Sequence, residues 1–161
     1  MIRVGVISDT HLKQEFDFLP TRVATVFDGV DQIIHCGDIN RQEVLDELGF
    51  IAPVTAVFGN TDPYEMASAL EHQAILNLGD YRIGITHGEG FSQARLNALK
   101  RFRDVKLDIL LYGHSHCPEK SVEQGIYCLN PGSATRPRCT TRGTIAILTL
   151  GDVIESEFID L

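Results

Sequence analysis

Hydrophobic residues along this chain gather into short runs that stop on polar residues able to do chemistry. Residues 2–7 form an apolar, β-branched run that halts at Ser8-Asp9. That pattern predicts a buried strand with Asp9 and His11 at its carboxyl end. It recurs three times: residues 32–35 lead into Cys36-Gly37-Asp38, residues 54–58 into Gly59-Asn60, and residues 109–112 into Gly113-His114. Between these runs, residues 21–27, 41–48 and 92–103 have helical spacing, the last with Leu96, Leu99, Lys100 and Arg103 at i, i+3, i+4 and i+7. The β-α-β-α alternation predicts α/β units.

The later chain changes period. Residues 73–78 and 81–86 flank Gly79-Asp80, and residues 144–150 and 153–159 flank Gly151-Asp152. Both read as hairpins. Antiparallel pairs added to α/β units predict an α/β (α+β) fold of two packed sheets with helices outside. Polar residues at the carboxyl ends of several strands sit where open α/β sheets place their binding crevice. There is no internal repeat, low-complexity tract or linker, so residues 1–161 are expected to form one domain.

Composition narrows the function. With 43% hydrophobic residues the chain reads as soluble and globular. No apolar run approaches the roughly 20 residues needed to span a bilayer, so membrane insertion is not expected. A net charge of −8 with only 14 Lys and Arg argues against nucleic acid as a partner, because backbone binding rests on cation–phosphate neutralisation. The four cysteines form no C-x-x-C pair and follow a start without a signal-peptide pattern. Reduced thiols in a cytoplasmic protein are therefore expected.

The chemistry lies in five clusters: Asp9-Thr10-His11, Gly37-Asp38, Gly59-Asn60-Thr61-Asp62, His87-Gly88 and Gly113-His114-Ser115-His116. Taken singly, each has an ordinary reading as a helix cap, a tight turn or a loop histidine. Their co-occurrence at predicted strand ends favours metal ligation, leaving His35 and His72 as structural or exposed. Asp9, His11, Asp38, Asn60, His87, His114 and His116 make more donors than one ion needs and suit two divalent cations about 3.5 to 4 Å apart. Asp9-x-His11 and His114-x-His116 place ligands two apart, which on extended backbone would project them to one side. Asp38 is the natural bridge, one oxygen to each ion. Mixed imidazole and oxygen donors suit Mn, Fe, Zn, Co or Ni. Two such ions with Asp9, Asp38 and a bridging hydroxide leave the cavity at about +1, attractive to a phosphate ester. The same ions would acidify a bridging water to give a hydroxide for in-line attack, with no Ser or Cys nucleophile required.

These clusters resemble the ordered signature of the calcineurin-like metallophosphoesterase superfamily: D-x-H, G-D, G-N-x-[DE], a lone His before Gly, and G-H-x-H. The short length and the Asn130-Pro131-Gly132-Ser133 run are similar to its small bacterial and archaeal phosphodiesterase branch. The resemblance implies a four-layer α/β/β/α sandwich of two mixed sheets flanked by helices. It implies a first metal on Asp9, His11, Asp38 and His116, and a second on Asp38, Asn60, His87 and His114. Mn²⁺ is the leading candidate ion, and several members form homo-oligomers. The implied activity is hydrolysis of a small phosphate ester, a diester before a monoester.

Larger relatives carry His at the third position of G-N-x-[DE], where this chain has Thr61. Asn60 and Asp62 are then the candidate catalytic residues, with Asp62 either the general acid or a carboxylate that orients a histidine or caps the Pro63-Tyr64-Glu65 turn. Arg138 is the candidate substrate-binding residue, as a fork-shaped phosphate donor or else a solvated surface arginine. Specificity is expected from residues 88–91 and 117–119. A second functional class is a non-catalytic protein-interaction scaffold of the same fold, which an exposed apolar patch would favour.

Overall fold

The computed structural model describes residues 1–161, the side chain of Phe91 excepted. The chain runs β1 (Ile2–Ile7), α1 (Arg22–Phe27), β2 (Gln32–His35), α2 (Gln42–Gly49), β3 (Val54–Ala56) and α3 (Tyr64–Ala69). It continues through β4 (Gln73–Leu78), β5 (Tyr81–Thr86), a 3-10 turn (Phe91–Gln93) and α4 (Ala94–Arg101). Strands β6 (Ile109–Leu111), β7 (Pro118–Glu123), β8 (Ile126–Pro131), β9 (Thr144–Leu150) and β10 (Ile154–Asp160) complete it.

Two mixed sheets result, ordered β10-β9-β1-β2-β3 and β4-β5-β6-β8-β7. In the first, β1, β2 and β3 are parallel, while β9 pairs antiparallel with both β1 and β10. In the second, β5, β6 and β8 are parallel with antiparallel β4 and β7 at the edges. Val4, Val6, Ile34, Ile83, Ile109 and Leu129 pack between the sheets. Phe27 of α1 and Val44 and Leu48 of α2 cover the other side of the first sheet with Ile7 and Ile33. Ala94 and Ala98 of α4 cover the second with Leu110 and Tyr112. The expected α/β/β/α sandwich is thus observed. Strands β1 and β2 are buried on both sides, which is why they read as continuous apolar runs. Each fully buried Ile or Leu contributes about 1.5–3 kcal/mol of transfer free energy.

The structure corrects several expectations. The hairpin of β7 and β8 turns on Gln124 and Gly125, both at positive φ (52° and 84°). This primed-turn geometry was not legible because Gln is not a residue that signals it. Helix α3 was also missed; it spans six residues and buries only Met66, too little for a period to show. In α4 the buried residues are Ala94 and Ala98, whereas Leu96 is 51% exposed and lines a groove with Leu99, Lys100 and Arg103. The predicted stripe is therefore split: Leu99 packs at the edge of the core, while Leu96 faces outward. Strand β3 stops at Ala56, with Val57 making an isolated bridge to Glu71.

The expectation of four reduced thiols is also corrected. Cys117 and Cys139 form a disulfide, and Cys36 and Cys128 are free and buried. The bridge ties the segment after β8 to the loop between β6 and β7, a pairing that sequence spacing alone does not determine. Among the described residues no helix is long and apolar enough to cross a membrane.

Candidate metal centre

All five clusters meet beyond the carboxyl ends of β1, β2, β3, β5 and β6, where the backbone departs from strand geometry. Asp9, His11, Asp38, His114 and His116 take φ values of 52°, 45°, 57°, 70° and 59°. Residues two apart therefore converge through left-handed turns, not through the extended backbone expected for D-x-H and H-x-H. Non-glycine residues rarely hold this conformation unless their surroundings fix it. The fixing contacts are specific: Asp9 N–H donates to Gly37 O at 3.0 Å, His11 N–H to Asp38 O at 3.0 Å, and Gly113 N–H to His87 O at 3.0 Å. Gly113 is required here, because a Cβ at that position would stand 2.7 Å from Asp9 Oδ2.

Two groups of donors form. Asp9, His11 and His116 make the first and Asp38, His87 and His114 the second, with the donor atoms in each group within 4.8 Å of one another. Asn60 joins the second, its Oδ1 lying 3.0 Å from His114 Nδ1. Each carboxylate uses one oxygen for positioning and turns the other inward. Asp9 Oδ2 accepts from Ser8 Oγ at 2.7 Å and His114 N–H at 2.9 Å, and Asp38 Oδ1 accepts from Thr61 N–H at 2.9 Å. Asp38 Oδ2 then sits between the groups, 3.5 Å from His11 Nε2 and 3.3 Å from His87 Nε2.

The donor chemistry fits cations. Asp9 Oδ1 is buried without a hydrogen-bond partner, a costly state for a carboxylate oxygen. His116 Nε2 lies 3.2 Å from it and 3.1 Å from His11 Nε2. His116 Nδ1–H donates to Arg136 O at 2.6 Å and His87 Nδ1–H to Cys36 O at 2.8 Å. In the neutral rings those bonds leave both Nε2 lone pairs facing the cavity, the tautomer a metal needs.

Burial and charge set the protonation of the metal-free site. Burial pushes the His87 imidazole down, but the hydrogen bond to Asp38 and the nearby Asp9 charge outweigh it and raise its pKa to about 9. Burial pushes the Asp38 and Asp9 carboxyls up, and their histidine neighbours reverse this, so both lie below the usual range. Burial lowers His11 and His114.

Groups outside the expected ligand set support the cluster. Asp62 accepts from the N–H groups of Gly59 (2.7 Å), Asp38 (3.0 Å), Ile39 (2.7 Å) and Asn40 (2.6 Å). Its carboxyl is thus turned to the backbone of the Asp38 loop, with burial raising its pKa against the pull of those bonds. His35 is fully buried: its Nδ1 accepts from Gly37 N–H at 3.2 Å and its Nε2 meets Thr10 Oγ1 at 3.1 Å. Burial holds its pKa at about 3, so it orients the loops as a neutral ring. His72 bonds Glu89 at 2.9 Å, while Arg101 bonds both, securing the loop after His87.

A cavity of about 360 Å³ opens beside the first group, lined by His11, Lys13, Thr61, His116, Arg136, Pro137 and Arg138. Arg138, the residue singled out from sequence, is therefore at the site mouth. Lys13 and Arg136 line it as well and were not singled out from sequence; Lys13, two residues past His11, carried a signal, whereas Arg136 stands twenty residues beyond the last ligand motif.

Residues 2–152 match the family profile of the calcineurin-like phosphoesterase superfamily domain. A probable metallophosphoesterase of Methanocaldococcus jannaschii is 39% identical over 160 residues, covering 98% of this chain and 81% of that protein. A solved structure described as a novel archaeal phosphodiesterase is 25% identical, with a TM-score of 0.77 over 99% of this chain and 100% of that one. Vps29 of Entamoeba histolytica complexed with Zn²⁺ is 24% identical, with a TM-score of 0.78 over 99% of each chain, a likeness of fold.

Proposed function

The chain belongs to the calcineurin-like phosphoesterase superfamily, and we propose that it is a divalent-metal-dependent phosphodiesterase acting on a small phosphate ester. The observation that carries this is Asp38 Oδ2 lying between two donor groups, one of which contains the unpartnered Asp9 Oδ1. Asp9, His11, Asp38 and His116 would hold one ion, and Asp38, Asn60, His87 and His114 the other, with Mn²⁺ the leading candidate. When bound, such ions supply positive charge to the phosphate oxygens and acidify water towards neutrality. Asn60 contributes a neutral amide oxygen at the second group. Arg138 would orient the ester from the cavity mouth. Asp62 is assigned to holding the Asp38 loop, because both its oxygens are engaged by backbone amides.

The test is hydrolysis of bis-p-nitrophenyl phosphate by chelator-treated protein before and after Mn²⁺ is added. Turnover should be absent in the first case and restored in the second. Equal turnover in both would contradict the proposal.

Metal uptake should also be linked to pH. The metal-free His87 keeps its proton up to about pH 9, and a ligating Nε2 must lose it. Affinity at the second group should therefore rise as pH rises towards about 9. Calorimetry near pH 7 in buffers of different ionisation enthalpy should register about one proton released per chain on saturation. Binding without proton release would count against His87 as a ligand.

A scaffold role keeps one specific support, the groove along α4 with Leu96, Leu99, Phe102, Val105 and Ile126 in its walls. It and hydrolysis make different demands on the site: a scaffold requires no turnover when metal is present.

A further inference from the structure

The cavity beside the first donor group has a composition opposite to that of the whole chain. The protein carries 22 acidic residues against 14 basic ones, yet this cavity is lined by Lys13, Arg136 and Arg138 with no carboxylate among the described residues that line it. Among the described residues that line it, the two imidazoles of the donor group are the only aromatic rings. What it can recognise is charge.

The backbone that carries Arg136 and Arg138 is also tied to the donor segments. Arg136 N–H donates to Ser133 Oγ at 2.8 Å, and Ser133 Oγ donates to the backbone oxygen of Asp9 at 2.7 Å. Thr135 Oγ1 donates to Thr10 O at 2.6 Å, and Arg136 O accepts from His116 Nδ1. On the far side, Arg138 N–H donates to His116 O at 3.4 Å, and Cys139 is bridged to Cys117, the residue after His116. The backbone of Arg136 and Arg138, two of the lining residues, is thus tied to the segments that carry Asp9, Thr10 and His116. An anchored backbone keeps the three cations on one rim of the site, and guanidinium forks match phosphate oxygens.

We propose that this cavity seats a second phosphoryl group of the substrate, so that the preferred ester is a small molecule bearing two separated phosphates, one at the donor cluster and one against Lys13, Arg136 and Arg138. The proposal rests on the phosphoesterase reading of the donor cluster. The volume of about 360 Å³ lies near the lower end of ligand-sized cavities and suits one phosphorylated sugar-sized fragment.

The test compares binding of adenosine 3′,5′-bisphosphate and adenosine 5′-monophosphate to the Mn²⁺-loaded protein by calorimetry, with bis-p-nitrophenyl phosphate turnover recorded on the same sample. The bisphosphate should bind about tenfold or more tightly. In Arg136→Ser that preference should fall to about twofold. Lys13→Ser, a change at an exposed position, should reduce it by about threefold and guards against a folding defect in the first variant. Both variants should retain the metal content of the unaltered protein, since neither side chain is among the donors. A preference of twofold or less in the unaltered protein, or one that both variants leave intact, overturns the subsite even when the reporter is hydrolysed. A preference that depends on Arg136 without any reporter turnover supports the subsite and sinks the hydrolase reading instead.

Discussion

Asp38→Ala should lower turnover of bis-p-nitrophenyl phosphate by about a thousandfold or more and leave at most about one divalent ion per chain. The magnitude follows from position: Oδ2 of Asp38 is the inward oxygen shared by the two donor groups, so its loss weakens both together. The charge of Asp38 also supports the protonated His87 of the metal-free protein, and its removal leaves that imidazolium buried with weaker compensation. Asp38→Asn separates the two effects. The amide oxygen can keep the bond from Thr61 N–H, so this variant should stay folded while losing metal and turnover. Wild-type turnover in a folded Asp38→Asn protein would show that the carboxylate does not bridge.

Asp62→Ala should be the most damaging change among residues outside the proposed ligand set. Four backbone N–H groups lose a charged acceptor at once, and the expected cost is about 4 kcal/mol or more. At about 2–4 °C per kcal/mol for a chain of this size, Tm should fall by at least about 8 °C. Mn²⁺ affinity should fall as well, because the Asp38 loop loses the anchor that holds its left-handed turn. The assignment differs from that of a general acid in a measurable way. p-Nitrophenolate leaves without being protonated, so removing a proton donor would spare hydrolysis of that ester while depressing hydrolysis of unactivated ones. Removing a positioning group depresses both. A variant with unchanged Tm and Mn²⁺ affinity that loses only the unactivated substrates would return Asp62 to the proton-donor role.

Residues whose chemistry or burial restricts their identity were the ones legible in sequence. Strands β1 and β2 are buried on both faces and leave unbroken apolar runs. The donors advertise themselves because few side chains can do what Asp9, Asp38, His87, His114 and His116 are placed to do. The path by which they converge was not legible, since nothing in Asp-Thr-His or His-Ser-His demands positive φ; that conformation is held by bonds that the Asp9, His11 and Gly113 N–H groups donate to the carbonyls of Gly37, Asp38 and His87, distant in sequence. Helix α4 misled because its fully buried contacts come from Ala94 and Ala98, which carry little hydrophobic signal, while Leu99 is only partly buried and Leu96 faces a groove. The Cys117–Cys139 pairing depends on the segment after β8 returning to the loop between β6 and β7, a tertiary fact. Asp62 showed its presence in the motif but not its partners, three of which lie on the loop after β2.

The central claim is that two cations share Asp38, and electron paramagnetic resonance of the chelator-treated protein reloaded with Mn²⁺ tests it most directly. As Mn²⁺ is titrated to saturation, the hyperfine pattern of isolated ions should give way to the broadened spectrum of an exchange-coupled pair, and Asp38→Asn should abolish the coupling. An isolated-ion spectrum persisting at saturation in the unaltered protein would contradict a shared carboxylate and reduce the centre to independent or single-ion binding.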